Sequence, residues 1–220
     1  MALLALDAST EACAVGIQTS EGQIFEAFEV APRKHTELLP KMLDQVIVES
    51  KIKKTEIKGC IVGVGPGAFT GIRIGVATIQ GIALGLNIPC YAVSSLHAIA
   101  QQAINLQPSI SGSILSCIDA RMEEIYYAQY AVSNSQSTQL IDTEAMVAYE
   151  AFQQPGDCMA IAGSGLECVK SKLTENITQI ESCYPTASAL FQIYQQHHLP
   201  AIAAEQLTPS YIRNQVTHQK

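Results

Sequence analysis

The sequence contains no tryptophan, and aromatic residues make up only 6% of its 220 positions. Its core must therefore be mainly aliphatic, and a hydrophobic content of 48% is enough to build one. Lysine and arginine are also scarce, at 13 against 20 aspartates and glutamates, which gives a net charge of −7. Phosphate contacts dominate nucleic-acid affinity, so a protein that grips nucleic acid alone is normally basic. The composition argues against such a protein.

Long apolar runs and targeting signals are absent as well. The apolar segment Ile72–Leu86 is interrupted by Arg73, Thr78 and Gln80, so it falls short of the roughly 18 unbroken apolar residues typical of a membrane span. Residues 1–7 lack the basic start and the length of a secretory signal. The sequence therefore predicts no membrane segment.

The familiar chemical motifs are missing too. The seven cysteines form no C-x-x-C pair, which predicts reduced, mostly buried thiols and a cytoplasmic protein. The five histidines form no H-x-x-x-H or H-E-x-x-H metal pair. His197 and His198 are adjacent, and we expect them at the surface end of a helix. No G-x-S-x-G elbow of a serine hydrolase occurs. The sequence predicts neither a metal site nor a catalytic set.

What is present is a pattern of short apolar strands and longer amphipathic helices. The first half is predicted as β-β-β-α-β-α-β-α, beginning with a hairpin rather than with βα units alone. Thr36, Thr70 and Ser94 are the predicted N-caps of the three helices. The predicted strands are 2–6, 12–18, 23–30, 60–64 and 90–93, and the helices are 36–50, 71–86 and 95–105.

The second half is predicted to be another mixed α/β unit. Its expected strands are 113–118, 125–132 and 159–162, and its expected helices are 144–152, 165–173 and 186–198. Two lobes follow from this division, with residues 1–105 in the first lobe and 106–204 in the second. Residues 205–220 are a candidate segment to return to the first lobe.

The most informative segment is glycine-rich and joins a strand to a helix. Gly63, Gly65 and Ala68 match G-x-G-x-x-A, but the acidic residue that a dinucleotide site needs about 20 residues later is missing. A Walker A loop fails too, because no lysine lies between Lys58 and Lys170. Two interpretations remain equally open: the glycines contact phosphate at the helix start, or they permit a tight turn against another backbone.

The helix after this segment carries a stripe of small residues. Ala77, Gly81 and Gly85 recur every four positions, although glycine costs about 1 kcal/mol inside a helix. Such a stripe indicates that another backbone packs close by. The helix is apolar nearly all round, so it is either a core helix or one that also meets a partner chain. The residues alone favour the core.

Two acidic segments could carry chemistry. Asp7 ends the first strand, where it could hold a metal–nucleotide or cap its own turn, and the turn is the more common use. Asp119 and Arg121 lie between two strands. At such a position a salt-bridged hairpin turn is more common than a functional site.

Taken together, four segments resemble one family: Leu3–Ser9, Gly65–Gly75, Asp119–Arg121 and Pro209–Arg213. The family is that of TsaB, also called YeaZ, whose members serve threonylcarbamoyladenosine modification of tRNA. The resemblance covers essentially the whole chain, and the glycine-rich string is its most specific part. The family usually has serine where this chain has Ala68.

The resemblance implies the two-lobed α/β fold of the sugar kinase, heat-shock ATPase and actin superfamily, which is ribonuclease H-like. It implies a non-catalytic subunit that binds and stabilises its paralogue TsaD, the protein that transfers threonylcarbamoyl to adenosine 37 of tRNAs reading ANN codons. TsaE is a further expected partner, and tRNA would bind only through the complex. Alone, the chain would form a homodimer. No intrinsic cofactor is expected, and ATP or ADP is a candidate ligand at the TsaD junction.

The resemblance also implies two groups of functional residues. The glycine-rich motif comprises Gly65, Pro66, Gly67, Thr70, Gly71 and Arg73. The partner interface on two helices would comprise Thr36, Leu39, Met42, Leu43, Ile72, Val76, Ile79 and Ala83.

The alternative function is a stand-alone ATPase or small-molecule kinase of the same superfamily, which would use Asp7 and the glycine turn. A peptidase, an older label for this family, finds no supporting residues.

Overall fold

The computed structural model describes residues 1–133 and 136–212 of the chain. The β-β-β-α-β-α-β-α order predicted for the first half is confirmed. Its elements are β1 (Ala2–Asp7), β2 (Ala12–Gln18), β3 (Ile24–Val30), α1 (His35–Ser50), β4 (Ile57–Gly63), α2 (Phe69–Leu86), β5 (Cys90–Val93) and α3 (Ser95–Leu106).

The second half is richer in strands than the sequence predicted. Its elements are β6 (Gly112–Arg121), β7 (Glu124–Ser133), β8 (Ser137–Leu140), β9 (Ala145–Ala148), β10 (Cys158–Ala162), α4 (Leu166–Val169), β11 (Thr178–Ile180) and α5 (Ala187–Gln196). They form a sheet in the order β11-β10-β6-β7-β8, with β9 pairing β7.

The first sheet has the order β3-β2-β1-β4-β5, so β1 is its central strand. β1 runs antiparallel to β2 and parallel to β4. Leu4 and Leu6 point into a core cluster shared with α1 and α2, whereas Leu3 and Ala5 point into a cluster shared with α5. A strand buried on both faces must be apolar at every position, which explains why the start of the chain shows no alternation.

The helix α5 follows the second sheet in the chain but covers the first. Phe191 is fully buried in the cluster that also holds Leu3. The start of α5 is fixed by Glu26 on β3, whose carboxylate accepts a hydrogen bond from the backbone N–H of Ala187 (2.6 Å). The segment after α5 returns to the first sheet as well, since Cys90 and Ile202 form a backbone bridge. The division at residue 105 stays a prediction.

One prediction for the second half is wrong, and two strands were missed. The predicted helix 144–152 is β9 followed by a 3₁₀ turn at Tyr149–Ala151. A four-residue apolar run has no readable period, and pairing with β7 decides its conformation. β8 and β11 are short and polar, so nothing marks them in the sequence. The predicted helix 165–173 is shorter than expected, with α4 and a 3₁₀ turn at Lys170–Lys172.

Of the three predicted helix caps, one is confirmed. The Ser94 side chain accepts from the N–H groups of Leu96 and His97. Thr36 is not a cap, because α1 begins one residue earlier after Lys34. Thr70 is not one either, because α2 begins at Phe69. Neither α1 nor α2 has a side-chain cap, so the first N–H groups of both helices lack that partner.

Within the described residues, α2 is the one helix long and apolar enough to cross a membrane, with 18 residues and a mean hydropathy of 1.4. Core helices of soluble proteins have the same composition. Ile72, Val76 and Ile79 of α2 are buried against the first sheet, which accounts for much of that apolar content. The absence of a membrane segment stays a prediction.

Two histidines join three parts of the fold through one carbonyl. His97 on α3 and His197 after α5 place Nε2 at 2.9 and 3.0 Å from the carbonyl oxygen of Thr138 on β8. Their ring centroids lie 5.0 Å apart, and His97 also stacks on Tyr130. His197 is therefore engaged in the fold, unlike the surface position predicted for it. Burial lowers the pKa of His97 to about 4.

We predict that His97 makes the fold acid-sensitive. Since its pKa is lower in the folded state, the unfolded state binds the proton first. Stability is therefore full above about pH 6.5 and is lost as pH falls towards 4, by on the order of 2 kcal/mol. Urea unfolding at pH 7 and pH 4.5 should show a steeper loss for the wild type than for His97→Gln, with His198→Gln as the exposed control. Equal losses in wild type and His97→Gln would contradict the prediction.

Candidate functional site

A cleft of about 580 Å³ lies where the ends of β1, β4 and β6 meet. Its walls come from the loop after β1, the glycine-rich segment, the β6–β7 hairpin and the residues before the described C-terminal end. It brings together most of the motifs that the sequence singled out: Ser9, Gly67, Arg73, Asp119, Arg121 and Tyr211.

Asp7 does not line this cleft but lies sealed beneath it, with 1% of its surface exposed. Its Oδ1 accepts from the backbone N–H and the hydroxyl of Ser9, both at 2.8 Å. Gly63 makes room for the carboxylate, since a Cβ there would lie 1.7 Å from Oδ2. Burial raises the pKa of Asp7 to about 6, although the bonds from Ser9 and Ser95 oppose this. The geometry is that of a capped turn, the more common use.

The glycine-rich segment packs against the backbone that follows β1. A Cβ at Gly67 would lie 2.1 Å from the Ser9 carbonyl oxygen, and one at Gly71 would lie 2.0 Å from that of Ala8. The Ala68 N–H donates to Ser9 O at 2.7 Å, and the Gly65 N–H donates to the Ser95 hydroxyl. Of the two interpretations, the tight turn against another backbone is the one that these contacts favour.

Arg73 leaves α2 towards the mouth of the cleft and holds two aromatic rings together. Its guanidinium carbon lies 3.7 Å from the Phe69 ring centroid, and its Nε donates to the Tyr211 hydroxyl at 2.8 Å. The C-terminal motif is anchored further by the Ser210 N–H, which donates to Val64 O. Sequence reasoning did not predict this contact between the motifs. Arg213, the last residue of that motif, lies outside the described residues.

The segment Asp119–Arg121 is a salt-bridged hairpin tip, as the commoner interpretation had it. Arg121 reaches Asp119 at 2.8 Å and, across the cleft, Glu11 at 3.1 Å. The hydroxyl of Tyr149 donates to Asp119 at 2.8 Å. Glu11 and Tyr149 were missed because nothing in their local sequence marks them.

Most residues of the predicted partner interface are buried inside the chain itself, and the interface stays a prediction. Six of its eight members have at most 5% of their surface exposed and belong to the chain's own core: Leu39, Met42, Ile72, Val76, Ile79 and Ala83. They form the faces of α1 and α2 that pack on the first sheet, so they offer little surface to a partner. Thr36 is exposed and Leu43 is partly exposed. The sequence pattern predicts the two helices, but it does not distinguish the apolar face that packs on the sheet from the one that stays exposed.

The free faces of these helices border a second apolar cavity of about 460 Å³, which we call the α1–α2 groove. Gly81 and Gly85 line it, and among the described residues a Cβ on either would meet no atom within 4 Å outside the neighbouring turns of α2. The glycines of α2 therefore fall into two groups. Gly71 is needed for a close contact inside the chain, whereas Gly81 and Gly85 have no close neighbour outside their own helix among the described residues. Pro40, Leu43, Ile47 and Ile82 also line the groove, and Asp44 and Lys54 are its charged residues.

Reactive groups are not assembled in the described part of the chain. Within residues 1–133 and 136–212, no group of three His, Cys, Asp or Glu side chains could hold a metal ion. All seven cysteines are free, and six of them are buried. Burial raises the pKa of Cys13 to about 11 and that of Cys60 to about 12. These thiols are therefore poor nucleophiles at neutral pH.

Comparison with known proteins gives consistent results. The model of the family TsaD, tRNA N6-adenosine threonylcarbamoyltransferase, matches residues 27–207. The chain is 31% identical over 231 aligned positions to the tRNA threonylcarbamoyladenosine biosynthesis protein TsaB of Haemophilus influenzae, covering 100% of this chain and 97% of that protein. It is 32% identical to the Escherichia coli protein of the same name, covering 100% and 98%.

A solved structure agrees with these matches. YeaZ from Pseudomonas aeruginosa is 33% identical and superposes with a TM-score of 0.85, covering 96% of this chain and 99% of that one. The α/β fold class expected from the sequence is thereby confirmed.

We predict that Asp7→Asn stabilises the protein at neutral and higher pH. Because the pKa of Asp7 is raised in the folded state, its contribution is fully present below pH 3.8 and is lost as pH rises through 6. The neutral amide should avoid this loss and raise the free energy of unfolding by about 2 kcal/mol at pH 8.

Urea unfolding at pH 8 and pH 4 checks this, with Asp157→Asn as an exposed control. A variant that is less stable than wild type at pH 8 would show that the ionised carboxylate is required.

Proposed function

The chain belongs to the TsaB (YeaZ) family, and from this premise we propose that it acts in tRNA threonylcarbamoyladenosine biosynthesis by binding and stabilising TsaD. Its own role there is non-catalytic. The observation that carries the proposal is the α1–α2 groove, in which Gly81 and Gly85 leave helical backbone open to close approach by another chain. An exposed glycine costs a helix about 1 kcal/mol, so two of them need a reason outside the isolated chain.

The choice of TsaD as partner is supported by the sequence similarity of this chain to the TsaD family. Residues 27–207 match the TsaD family model, so the two proteins should offer related helix pairs. A helix pair that can pack against its own copy can also pack against a paralogue of the same shape. We therefore propose a homodimer for the isolated chain, which gives way to a heterodimer when TsaD is present.

The remaining partners follow from charge and pathway. With a net charge of −7, the chain is unlike proteins that hold RNA by themselves, and tRNA would bind through the complex. TsaE is proposed as a further member of the assembly. All of these steps belong in the cytoplasm.

ATP or ADP remains a proposed ligand of the TsaD junction rather than of this chain alone. A cavity of about 460 Å³ adjoins the cleft and is lined by the starts of both α1 and α2, together with Arg33 and Arg121. Helix starts and arginines favour phosphate. TsaD, bound at the α1–α2 groove, would close the open side of this cavity.

The stand-alone ATPase or kinase is the weaker alternative. Its expected acid, Asp7, is buried beneath the cleft, and its glycine loop packs on Ser9 instead of leaving space there. Calorimetry with Mg-ATP separates the two functions. Micromolar binding with turnover that is lost in Asp7→Ala would favour the alternative.

The proposal is tested by light scattering on the purified chain, alone and mixed with TsaD, followed by a tRNA-modification assay on each fraction. A stable mixed complex that is active only when both proteins are present supports it. Activity from this chain alone would overturn the non-catalytic role, and failure to form a complex would overturn the partner.

We predict opposite effects of Gly81→Ala on stability and on association. The free chain should gain about 1 kcal/mol, because alanine favours helix and its methyl meets open space. Binding to TsaD should weaken roughly tenfold, since an extra methyl in a close-packed interface costs about 1–3 kcal/mol.

The matched control is Gly156→Ala, which also has open space around its Cβ but lies in the turn before β10. Urea unfolding and titration calorimetry measure the two effects. If Gly81→Ala and Gly85→Ala both bind TsaD like wild type, the groove is not the interface.

A further inference from the structure

The loop between β1 and β2 touches the starts of both helices that border the groove. Ser9 O accepts from the Ala68 N–H at 2.7 Å, directly before α2. The carbonyl oxygen of Thr10 lies 2.8 Å from Nε2 of His35, the first residue of α1, which donates to it. All three residues Ser9, Thr10 and His35 are buried. The loop 9–11 is therefore a common support for the two helix starts.

The second sheet contacts this support through the side chain of Arg121. Arg121, at the tip of the β6–β7 hairpin, places Nη2 at 3.1 Å from Oε1 of Glu11. Its Nη1 lies 2.8 Å from Oδ2 of Asp119, whose other oxygen accepts from the Tyr149 hydroxyl. Asp119 therefore fixes the direction of the guanidinium towards the loop.

The hairpin tip has an unusual backbone. Arg121, Met122 and Glu123 have φ values of 62°, 56° and 61°, a left-handed region that residues with a Cβ seldom enter. The pairing also slips by one residue between Asp119 and Arg121. The conformation is held from outside, because the Tyr149 N–H donates to Glu123 O at 2.7 Å. Strained turns that the surroundings hold in place are typical of functional positions.

We propose that Arg121 is a positioning residue: it ties the second sheet to the loop 9–11 and thereby sets the starts of α1 and α2. This inference rests on the proposed function, because those two helices carry the proposed partner face. In this proposal the second sheet holds α1 and α2 in the orientation that binds TsaD. The contact itself is an exposed ion pair, so its effect lies in orientation more than in stability.

The first experiment uses the isolated chain and needs no partner. Amide hydrogen exchange by NMR is compared for wild type, Arg121→Ala and Glu11→Gln. The Ala68 and Leu38 amides, which donate to Ser9 and Lys34, should exchange 3- to 10-fold faster in both variants. Amides in the last turn of α1 should not change. Lys170→Ala is the control, because Lys170 likewise bridges two carboxylates, those of Glu167 and Glu181, but neither of these ion pairs involves the loop 9–11.

The second experiment measures TsaD affinity in a double-mutant cycle. Arg121→Ala and Glu11→Gln should each weaken binding about 3- to 10-fold, and the double variant should be no weaker than either, since both remove one contact. Arg121→Lys should recover part of the loss, whereas a general loss of folding would not be rescued. Circular dichroism should be the same for all variants.

The outcomes are distinguishable. Exchange at Ala68 and Leu38 as slow in Arg121→Ala as in Lys170→Ala overturns the positioning role. Faster exchange with unchanged TsaD affinity overturns its link to the partner face. If TsaD binds neither wild type nor variants, the proposed function fails, and the exchange data still decide whether Arg121 positions the loop.

Discussion

The start of α2 lies in direct backbone contact with the loop after β1, and much of the molecule's arrangement depends on that contact. Gly67 and Gly71 allow it, because any side chain there would collide with the Ser9 or Ala8 carbonyl. The contact closes the space above Asp7, which is why this acid is buried as part of a turn. It also fixes the angle at which α2 leaves the sheet, so that the far end of the helix presents Gly81 and Gly85 beside α1.

The order of elements in the first half could be predicted because the signals there are local. β1, β2, β4 and β5 are largely apolar runs bounded by turn residues, β3 is marked by the hairpin signal before it, and Ser94 caps the helix that directly follows it. β8, β9 and β11 could not be predicted, since they are too short to show a period and only pairing with neighbours makes them strands. The equally short β5 could be predicted because Pro89 and Ser94 bound its apolar residues. Thr36 and Thr70 were predicted as caps from residue type alone, but both helices begin earlier without one.

The candidate site was only partly predictable for a related reason. The glycine-rich segment and the hairpin tip stand out by composition, but the residues they meet are far away in the chain. Glu11 and Tyr211 are ordinary residues until the fold brings them to Arg121 and Arg73. The partner face shows the same limit. An amphipathic pattern identifies one buried face, and α2 is apolar on two. Which of these two faces packs on the sheet depends on the tertiary structure.

The position of α5 has a consequence for how the protein emerges from the ribosome. Leu190 and Phe191 of α5 share one core cluster with Leu3 and Ala5 of β1 and Ala98 of α3, so this face of the first sheet is fully covered only when almost the whole chain has been synthesised. Nascent chains that end before α5 would expose this apolar surface to the cell, and chaperones would have a target there throughout elongation. The strands that are synthesised first are thus among the last to be fully covered.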